Sequence, residues 1–151
     1  MQNPVALLLR ALTLWIKGRV HFCGDVDGNQ LEDRGETFAA FRKVVVDAGP
    51  GRPPRPGAFF RVRFRFRNLS ATVNRALSLI PIPLIIAQPG FRTKTWLLGE
   101  NTGDFIGYYE FDTVEAAEAY WSSLPLSMMR RRAAKGSLSH EVNGLQPGTR
   151  R

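Results

Sequence analysis

Alternating arginines between residues 59 and 68 are the part of the sequence best suited to chemistry. The stretch reads FFRVRFRFRN. In a β-strand, successive side chains point to opposite faces, so this stretch has one apolar face and one cationic face. The cationic face carries Arg61, Arg63, Arg65 and Arg67. Fixed guanidinium groups can stabilise an anion that develops on a bound molecule, so this face is the first candidate for a functional site.

The apolar face of the same strand determines what the rest of the fold must supply. Phe60, Val62, Phe64 and Phe66 all point to that side. Four large apolar side chains need a covering layer, because leaving them in water is unfavourable. We therefore expect the elements that follow to pack against this strand or to extend its sheet.

The chain after this strand predicts two helices and three further strands. Ser70 can cap the first helix, and Asp112 with Glu115 forms a capping box for the second. The basic stretch MMRRRAAKG before the last strand is interpreted as a turn. The predicted elements are a helix over 71–80, strands over 91–98 and 104–111 that form a hairpin, a helix over 113–123, and a strand over 136–142.

This order of elements predicts an α+β fold. With right-handed crossovers, strand, helix, strand, strand, helix and strand close into a ferredoxin-like βαββαβ sandwich, with both helices on one face of the sheet. The arginines then lie on the other face. We expect five side chains from neighbouring strands to join them there, namely Arg92, Lys94, Trp96, Tyr108 and Glu110.

Three regions are predicted. Residues 1–57 form an N-terminal extension, residues 58–145 form the ferredoxin-like domain, and residues 146–151 form a basic tail. Within the extension, residues 48–57 hold four prolines and three glycines and predict a linker. The short run over 38–47 favours a strand because of its consecutive valines.

An apolar helix is predicted over residues 4–17, which read PVALLLRALTLWIK. It is apolar over most of its circumference. One interpretation docks it on its own domain or on a dimer partner. The other places it on an anionic membrane surface, with Trp15 at the interface and Arg10, Lys17 and Arg19 towards the lipid headgroups.

A polar loop over residues 18–36 has oxygen-bearing side chains at the spacing of an EF-hand calcium site. However, Gln30 stands where the sharp turn of that site needs glycine. The preceding residues alternate like a strand, so a turn between strands is favoured and no metal site is predicted. The residues at the EF-hand spacing are Asp25, Asp27, Asn29, Asp33 and Glu36.

Composition bounds the remaining possibilities. A chain of 151 residues forms one ordinary domain. Its net charge of +8 is compatible with nucleic acid, anionic lipid or an acidic small molecule as a partner. Its single cysteine excludes an internal disulfide, which fits a cytoplasmic protein. No secretory signal is recognised at the start of the sequence.

Several short motifs lie between Gln88 and Trp121. They are Pro89-Gly90-Phe91, Lys94–Trp96, Glu100–Gly103, Gly107-Tyr108-Tyr109 with Phe111, and Glu115–Tyr120. With these motifs the segment resembles the dimeric α/β-barrel superfamily of antibiotic-biosynthesis-type mono-oxygenases, and most closely its small mono-oxygenase branch. The resemblance implies a homodimer whose two sheets face each other, so that the arginine-bearing face lines a closed cavity.

The resemblance also implies a chemistry. Members that oxidise polycyclic phenols use no cofactor, because the substrate's own enolate gives an electron to oxygen. A small aromatic or anionic apolar ligand would then bind to the arginine-bearing face. In that scheme Tyr108 and Glu110 handle the proton, and the substrate-binding residues are Arg61, Arg63, Arg65, Arg92 and Trp96. Haem breakdown is not expected, because residues 113–123 lack the histidine that the haem-degrading branch uses.

Three alternatives remain open. The arginines can pair with Glu110 and with carboxylates of a second subunit, which would make them structural. The protein can also be a non-catalytic ligand-binding or scaffold dimer, held at a membrane by residues 4–17. An RNA-recognition-motif-like fold has the same element order, but residues 104–106 lack its third-strand signature, which disfavours nucleic acid.

Overall fold

A computed structural model of the chain describes residues 2–24, 26, 28–67 and 70–145. These residues form one antiparallel sheet of seven strands and five helices. In chain order the elements are α1 (Pro4–Ile16), β1 (Val20–Cys23), β2 (Gln30–Asp33), β3 (Glu36–Val46), β4 (Ala58–Phe64), α2 (Ala71–Leu77), α3 (Ile82–Ile86), β5 (Phe91–Gly99), β6 (Phe105–Phe111), α4 (Val114–Tyr120), α5 (Leu124–Arg132) and β7 (Ser139–Gly144).

The predicted ferredoxin-like core is confirmed. Strands β7, β4, β6 and β5 lie side by side in that order, and every neighbouring pair is antiparallel. Helix α2 follows β4 and helix α4 follows β6, as the βαββαβ order requires. The fold is therefore α+β, with the helices packed on one face of the sheet, which we call the helix face.

The alternation along β4 sorts its side chains as predicted. Phe60 and Val62 are fully buried, and Phe64 is nearly so. Phe60 packs edge-on against Tyr120 of α4, with ring centroids 5.2 Å apart. The arginines of β4 point to the opposite side of the sheet, which we call the arginine face.

The first 57 residues contribute directly to the sheet. Strand β3 pairs with β5, and β1 and β2 both pair with β3, so residues predicted as a polar loop include two strands. The strand predicted over 38–47 is confirmed as part of β3. Val26 and Leu31 pack on Phe38, Leu97 and Ile106, which covers part of the arginine face.

Helix α1 is tied to the core by one side only. Leu7, Ala11 and Leu14 are buried against the rest of the helix-face core. The Gln2 side chain exchanges hydrogen bonds of 2.8 and 3.1 Å with the amide of Gln88 beside α3. Within the part of the chain that the structure describes, no helix has both the length and the apolar character needed to cross a bilayer.

The side chains of β5 are distributed between the two faces of the sheet differently from the prediction. Its register with β6 shifts between Phe91 and Thr93, where Arg92 forms a β-bulge. A bulge lets residues of opposite parity face the same side of a sheet. Phe91, Lys94 and Trp96 consequently all point to the helix face, where each is buried. The prediction that Lys94 and Trp96 lie beside the arginines is wrong.

Two helix predictions also need correction. The cap of α4 is Thr113, whose hydroxyl accepts a hydrogen bond from the Ala116 amide at 3.1 Å. Asp112 does not cap the helix. The basic stretch predicted as a turn belongs mostly to α5, which Ser123 caps and which has Pro125 in its first turn, where proline is favoured.

Candidate functional site

Arg63 is at the centre of an ion-pair network on the arginine face. Its Nη1 donates to Asp33 Oδ2 at 2.7 Å, its Nη2 to Glu36 Oε1 at 3.0 Å and its Nε to Asp104 Oδ2 at 2.9 Å. Only 11% of its side chain is exposed. Asp33 and Asp104 raise the pKa of Arg63 against the opposing effect of burial. Each nitrogen of this guanidinium therefore already holds a carboxylate of the same chain.

The neighbouring arginines are paired as well. Arg65 donates from Nε to the other oxygen of Asp104 at 2.7 Å, with half of its side chain in solvent. Arg61 donates to Glu141 at 2.9 Å and lies 3.5 Å from Asp33. The carboxylates that hold Arg61, Arg63 and Arg65 all belong to this chain, as the structural alternative for these arginines requires.

Glu36 extends the network to the β5–β6 hairpin. Its carboxylate accepts hydrogen bonds from the amides of Asn101 and Thr102 at 2.9 and 2.7 Å, and from the Thr102 hydroxyl. Burial alone would raise the pKa of Glu36, but these hydrogen bonds and the charge of Arg63 together lower it. Glu36 therefore fixes the hairpin turn as an ionised, hydrogen-bonded anchor.

Among the remaining predicted site residues, Tyr108 and Glu110 lie on the arginine face, with Tyr108 directly opposite Arg61, whereas Trp96 is buried on the helix face. Tyr108 lies on the arginine face and stacks on Phe59, with ring centroids 5.4 Å apart. Glu110 accepts a hydrogen bond from Thr93 on the same face. Arg92 is buried and donates to Asp112 and to the carbonyl of Pro53.

Arg52 also donates to Asp112, at 2.8 Å. Burial opposes the ionisation of Asp112, but the hydrogen bonds from Arg52 and Arg92 lower its pKa. Asp112 thus fastens the proline-rich segment over residues 48–57 to the end of β6. In this structure Arg92 acts as part of that anchor.

A pocket opens on the opposite, helix face. Strands β4 to β6 form its floor, and helices α2 to α5 form its walls. Its volume is about 90 Å³, which is several times the space that one water molecule needs. The side chains around it are Phe64, Phe66, Leu77, Ser78, Ile80, Pro81, Ile85, Lys94, Trp96, Phe105, Tyr109, Tyr120, Pro125, Leu126, Met128, Met129 and Arg132. We call this space the helix-face pocket.

Lys94 is the polar group that distinguishes the pocket. It is 6% exposed, and its Nζ lies 4.4 Å from the ring centroid of Trp96 and 4.7 Å from that of Tyr109. In the described part of the chain, no carboxylate forms an ion pair with it. Burial, with a smaller contribution from the charge of Arg42, lowers the pKa of Lys94 well below its usual value.

Further cations surround the pocket. Arg42 donates to Ser78 Oγ at 2.6 Å, and its Cζ lies 5.4 Å from the ring centroid of Trp96. Burial and the charge of Arg75 lower the pKa of Arg42. Arg132 lies over the ring of Phe66 at 4.9 Å. Cations therefore lie next to an otherwise apolar space, which favours an anionic group on a ligand.

Two phenols complete the floor and wall. The rings of Tyr109 and Tyr120 are 4.7 Å apart, and both residues are about 2% exposed. Burial raises the pKa of each, and the neighbouring Tyr109 raises that of Tyr120 further. Both hydroxyl groups therefore stay protonated at neutral pH. Because they hydrogen-bond to each other, one O–H of the pair remains to donate to a ligand beside Lys94.

Two side chains that line the helix-face pocket, Lys94 and Tyr109, were not among the predicted site residues. Tyr109 alternates with Phe105 and Phe111, a pattern that puts it on the apolar side of β6. That signal was available in the sequence. The position of Lys94 was not, because the bulge at Arg92 has no sequence signal of its own. Among the described residues, no group of three His, Cys, Asp or Glu side chains converges to hold a metal.

Comparison with known proteins identifies the fold. No protein-family model matches the chain, and no curated protein matches it. A solved structure from Listeria monocytogenes 4b F2365, an uncharacterised ferredoxin-fold protein related to antibiotic biosynthesis monooxygenases, matches with a TM-score of 0.57 at 10% identity, over 80% of this chain and 70% of that one.

The haem-degrading enzyme LmHde from Listeria monocytogenes matches with a TM-score of 0.51 at 14% identity, over 74% of this chain and 72% of that one. An anthrone oxidase-like protein has a TM-score of 0.47 at 19% identity, over 72% of this chain and 56% of that one. The resemblance drawn from the sequence is thus confirmed for the fold, which this chain shares with proteins related to that mono-oxygenase group.

Proposed function

We propose that the helix-face pocket binds a small aromatic or enolisable molecule bearing an anionic group, and that the protein is a cofactor-independent mono-oxygenase or a related tailoring enzyme. The observation that carries this proposal is a buried amine, that of Lys94, in an aromatic pocket with no carboxylate paired to it among the described residues. Leaving a charge-bearing group unpaired in an apolar site is costly, so a ligand that interacts with it is the simplest reason for its presence.

The pocket matches what such chemistry requires. A phenol or enol reacts with oxygen as its anion, so the site must stabilise a negative charge away from water. Arg42 supplies positive charge beside the pocket, and the Lys94 amine and the Tyr109–Tyr120 pair of hydroxyls supply hydrogen-bond donors. Trp96 offers a flat surface for a ring. The proposal keeps the predicted ligand class and moves its site to the helix face.

Oxygen uptake tests the catalytic part of this proposal. The purified protein would be incubated with catechols, hydroquinones and cyclic 1,3-diketones in an oxygen electrode, and products would be identified by mass spectrometry. We expect uptake with at least one of these compounds, and its loss in Lys94→Met. Arg65→Gln is the matched control, because it removes a cation on the arginine face, outside the pocket.

Binding without oxygen uptake would instead favour the non-catalytic ligand-binding alternative. Absence of binding by any phenol or diketone, measured by calorimetry, would refute the pocket as a ligand site. Native mass spectrometry of the same sample would report whether the chain forms the homodimer that the resemblance implies.

The exposed side of α1 favours a second role, at an anionic membrane surface. Trp15 packs beside Phe22, with ring centroids 6.0 Å apart, and Arg10 and Lys17 flank this surface. Apolar side chains with basic neighbours are typical of helices that lie in the headgroup region of a bilayer. The apolar residues that this side of α1 leaves at least 49% exposed are Val5, Leu8, Leu9, Leu12, Trp15 and Ile16.

Vesicle sedimentation tests this role. We expect binding to vesicles containing phosphatidylglycerol, weaker binding to pure phosphatidylcholine, and loss of binding in Leu9→Ser/Leu12→Ser. Leu79→Ser is the matched control, because Leu79 is 50% exposed and lies outside α1. Equal sedimentation of all three proteins would contradict the proposal. Deleting α1 is not suitable, because Leu7, Ala11 and Leu14 belong to the core.

A further inference from the structure

We infer that Lys94 is a nucleophile that forms an imine with the carbonyl group of a ligand in the helix-face pocket. The inference rests on the proposed function and deepens it, because it names the ligand class as an aldehyde or ketone attached to an aromatic or enolisable group. Nothing in the resemblance implies a covalent bond to lysine.

The position of Lys94 provides the first argument. Lys94 lines the pocket, between the rings of Trp96 and Tyr109. These rings hold the amine beside the space that a flat carbonyl compound would occupy. In the described residues no hydrogen bond or ion pair occupies the Lys94 side chain, so its nitrogen lone pair can be directed at a ligand once the amine is neutral.

The electrostatic surroundings of the amine provide the second argument. The groups nearest the pocket on the other elements are Arg42 on β3, Arg75 on α2, Tyr109 on β6, Tyr120 on α4 and Arg132 on α5. All are cationic or neutral. Desolvation and neighbouring cations are the two means by which proteins make a lysine amine nucleophilic, and burial with Arg42 lowers the pKa of Lys94.

The other three lysines differ in this respect. Lys17 and Lys135 are exposed, and Lys43 is half-buried on β3. A solvated lysine lacks the desolvated, cation-flanked environment that makes an amine nucleophilic. Reaction at Lys94 should therefore be selective, which makes the inference testable with a simple carbonyl compound.

The reaction needs no oxidant or cofactor. The Nζ lone pair attacks the carbonyl carbon, and the C–O π bond breaks to give a carbinolamine. The carbon–oxygen σ bond then breaks, and the oxygen leaves as water with the two protons that the amine gave up. A buried phenol such as Tyr109 can hydrogen-bond to the carbonyl oxygen as negative charge develops there.

Borohydride trapping tests the inference. The full chain would be incubated with 4-hydroxybenzaldehyde at pH 7 and reduced with sodium borohydride, and the adduct would be located by peptide mass spectrometry. We expect one reduced adduct, at Lys94. Its formation should be lost in Lys94→Arg and in Lys94→Met and kept in Lys43→Arg, the matched control on the neighbouring strand.

A pH series on the unmodified chain provides a readout that does not depend on the folding of a variant. Because the pKa of Lys94 is lowered, trapping at Lys94 should persist as the pH is lowered below the usual range of a lysine amine. Equal labelling of all four lysines at every pH would overturn the inference. Binding of 4-methylphenol without trapping of the aldehyde would overturn it while leaving the proposed pocket intact, and absence of binding by both would overturn the two together.

Discussion

The basic side chains on the two faces of the sheet differ in whether carboxylates pair with them. On the arginine face, Arg63 donates to three carboxylates and Arg65 shares one of them. On the helix face, Lys94 is buried between aromatic rings, with no ion pair to a carboxylate among the described residues. The cations of the arginine face are compensated by carboxylates, and the buried amine of the helix face is not.

This difference shows that pairing is a better guide to function than the number of charges. A cation already surrounded by carboxylates of its own chain is not available to a ligand, because a ligand anion would have to displace them. Its removal would leave those carboxylates buried without a partner, so its role is structural. A buried cation without a carboxylate lowers the stability of the fold and gains a favourable partner only when an anion or an electrophile binds. Four substitutions test this contrast.

Arg63→Met should be the most destabilising of them. It leaves the buried carboxylates Asp33, Glu36 and Asp104 without their shared cation, and removal of one member of a buried ion pair costs about 3 to 5 kcal/mol. Urea unfolding monitored by circular dichroism would measure the loss. A free energy of unfolding equal to that of the unmodified chain would show that the network is not structural, and would return Arg63 to the list of ligand-binding candidates.

Lys94→Met should remove an increase of the unfolding free energy with pH in the alkaline range. The pKa of Lys94 is lowered in the folded chain, so between that value and 10.5 the unfolded chain binds one more proton. Stability therefore rises with pH across this window, by about 1.4 kcal/mol per pH unit. The unmodified chain should show this rise, and Lys94→Met should lack it. If the unfolding free energies of the two proteins changed with pH in parallel, Lys94 would have to remain charged in the pocket, contrary to this prediction.

Glu36→Gln should weaken the hairpin turn by about 1 to 2 kcal/mol, because the hydrogen bonds from Asn101 and Thr102 lose their charged acceptor. Since the pKa of Glu36 is lowered below 4.5, its contribution is complete above pH 4.5 and disappears as the pH falls through the folded-state value. The unfolding free energies of the two proteins should converge in acid. A constant difference down to the lowest pH would contradict this.

Arg65→Gln should have the smallest effect, less than about 1 kcal/mol, because half of its side chain is in solvent where ion pairs are weak. Arg65 and Arg63 contact the same carboxylate, Asp104, but only Arg63 is buried. Comparing the two substitutions therefore shows how much the burial of the arginine contributes when the partner is the same. Thermal unfolding at low and high salt would measure the difference. A loss as large as that of Arg63→Met would mean that the network acts as one unit.

The fold could be predicted from the sequence because two independent signals, the alternation along β4 and the turn and capping residues after it, indicate the same arrangement. The period-two alternation assigns both faces of the sheet, and the turn and capping residues that follow give the order of the other elements. Helix α5 differs from the turn predicted there. Three consecutive arginines at its end resemble a solvated turn, although Ser123 and Pro125 mark the start of a helix.

The helix-face pocket could not be predicted from the sequence in full. The apolar side of β6 was evident from its alternation, but the face of Lys94 and Trp96 depends on the bulge at Arg92. That bulge accompanies tertiary contacts of Arg92 with Asp112 and Pro53, which lie far from it in sequence. The carboxylates that pair with Arg63 come from β2, β3 and the hairpin turn, and a sequence does not show which distant residues will meet.

The three tryptophans lie in three different environments, which gives each region its own optical reporter. Trp96 is buried beside the Lys94 amine, whereas Trp15 is 57% exposed on α1. Trp121 stacks on His140 at a centroid distance of 3.7 Å. Single-tryptophan variants, with phenylalanine at the other two positions, should therefore emit at different wavelengths. Quenching of the Trp96 emission would follow pocket occupancy, and a blue shift of the Trp15 emission would follow contact with lipid.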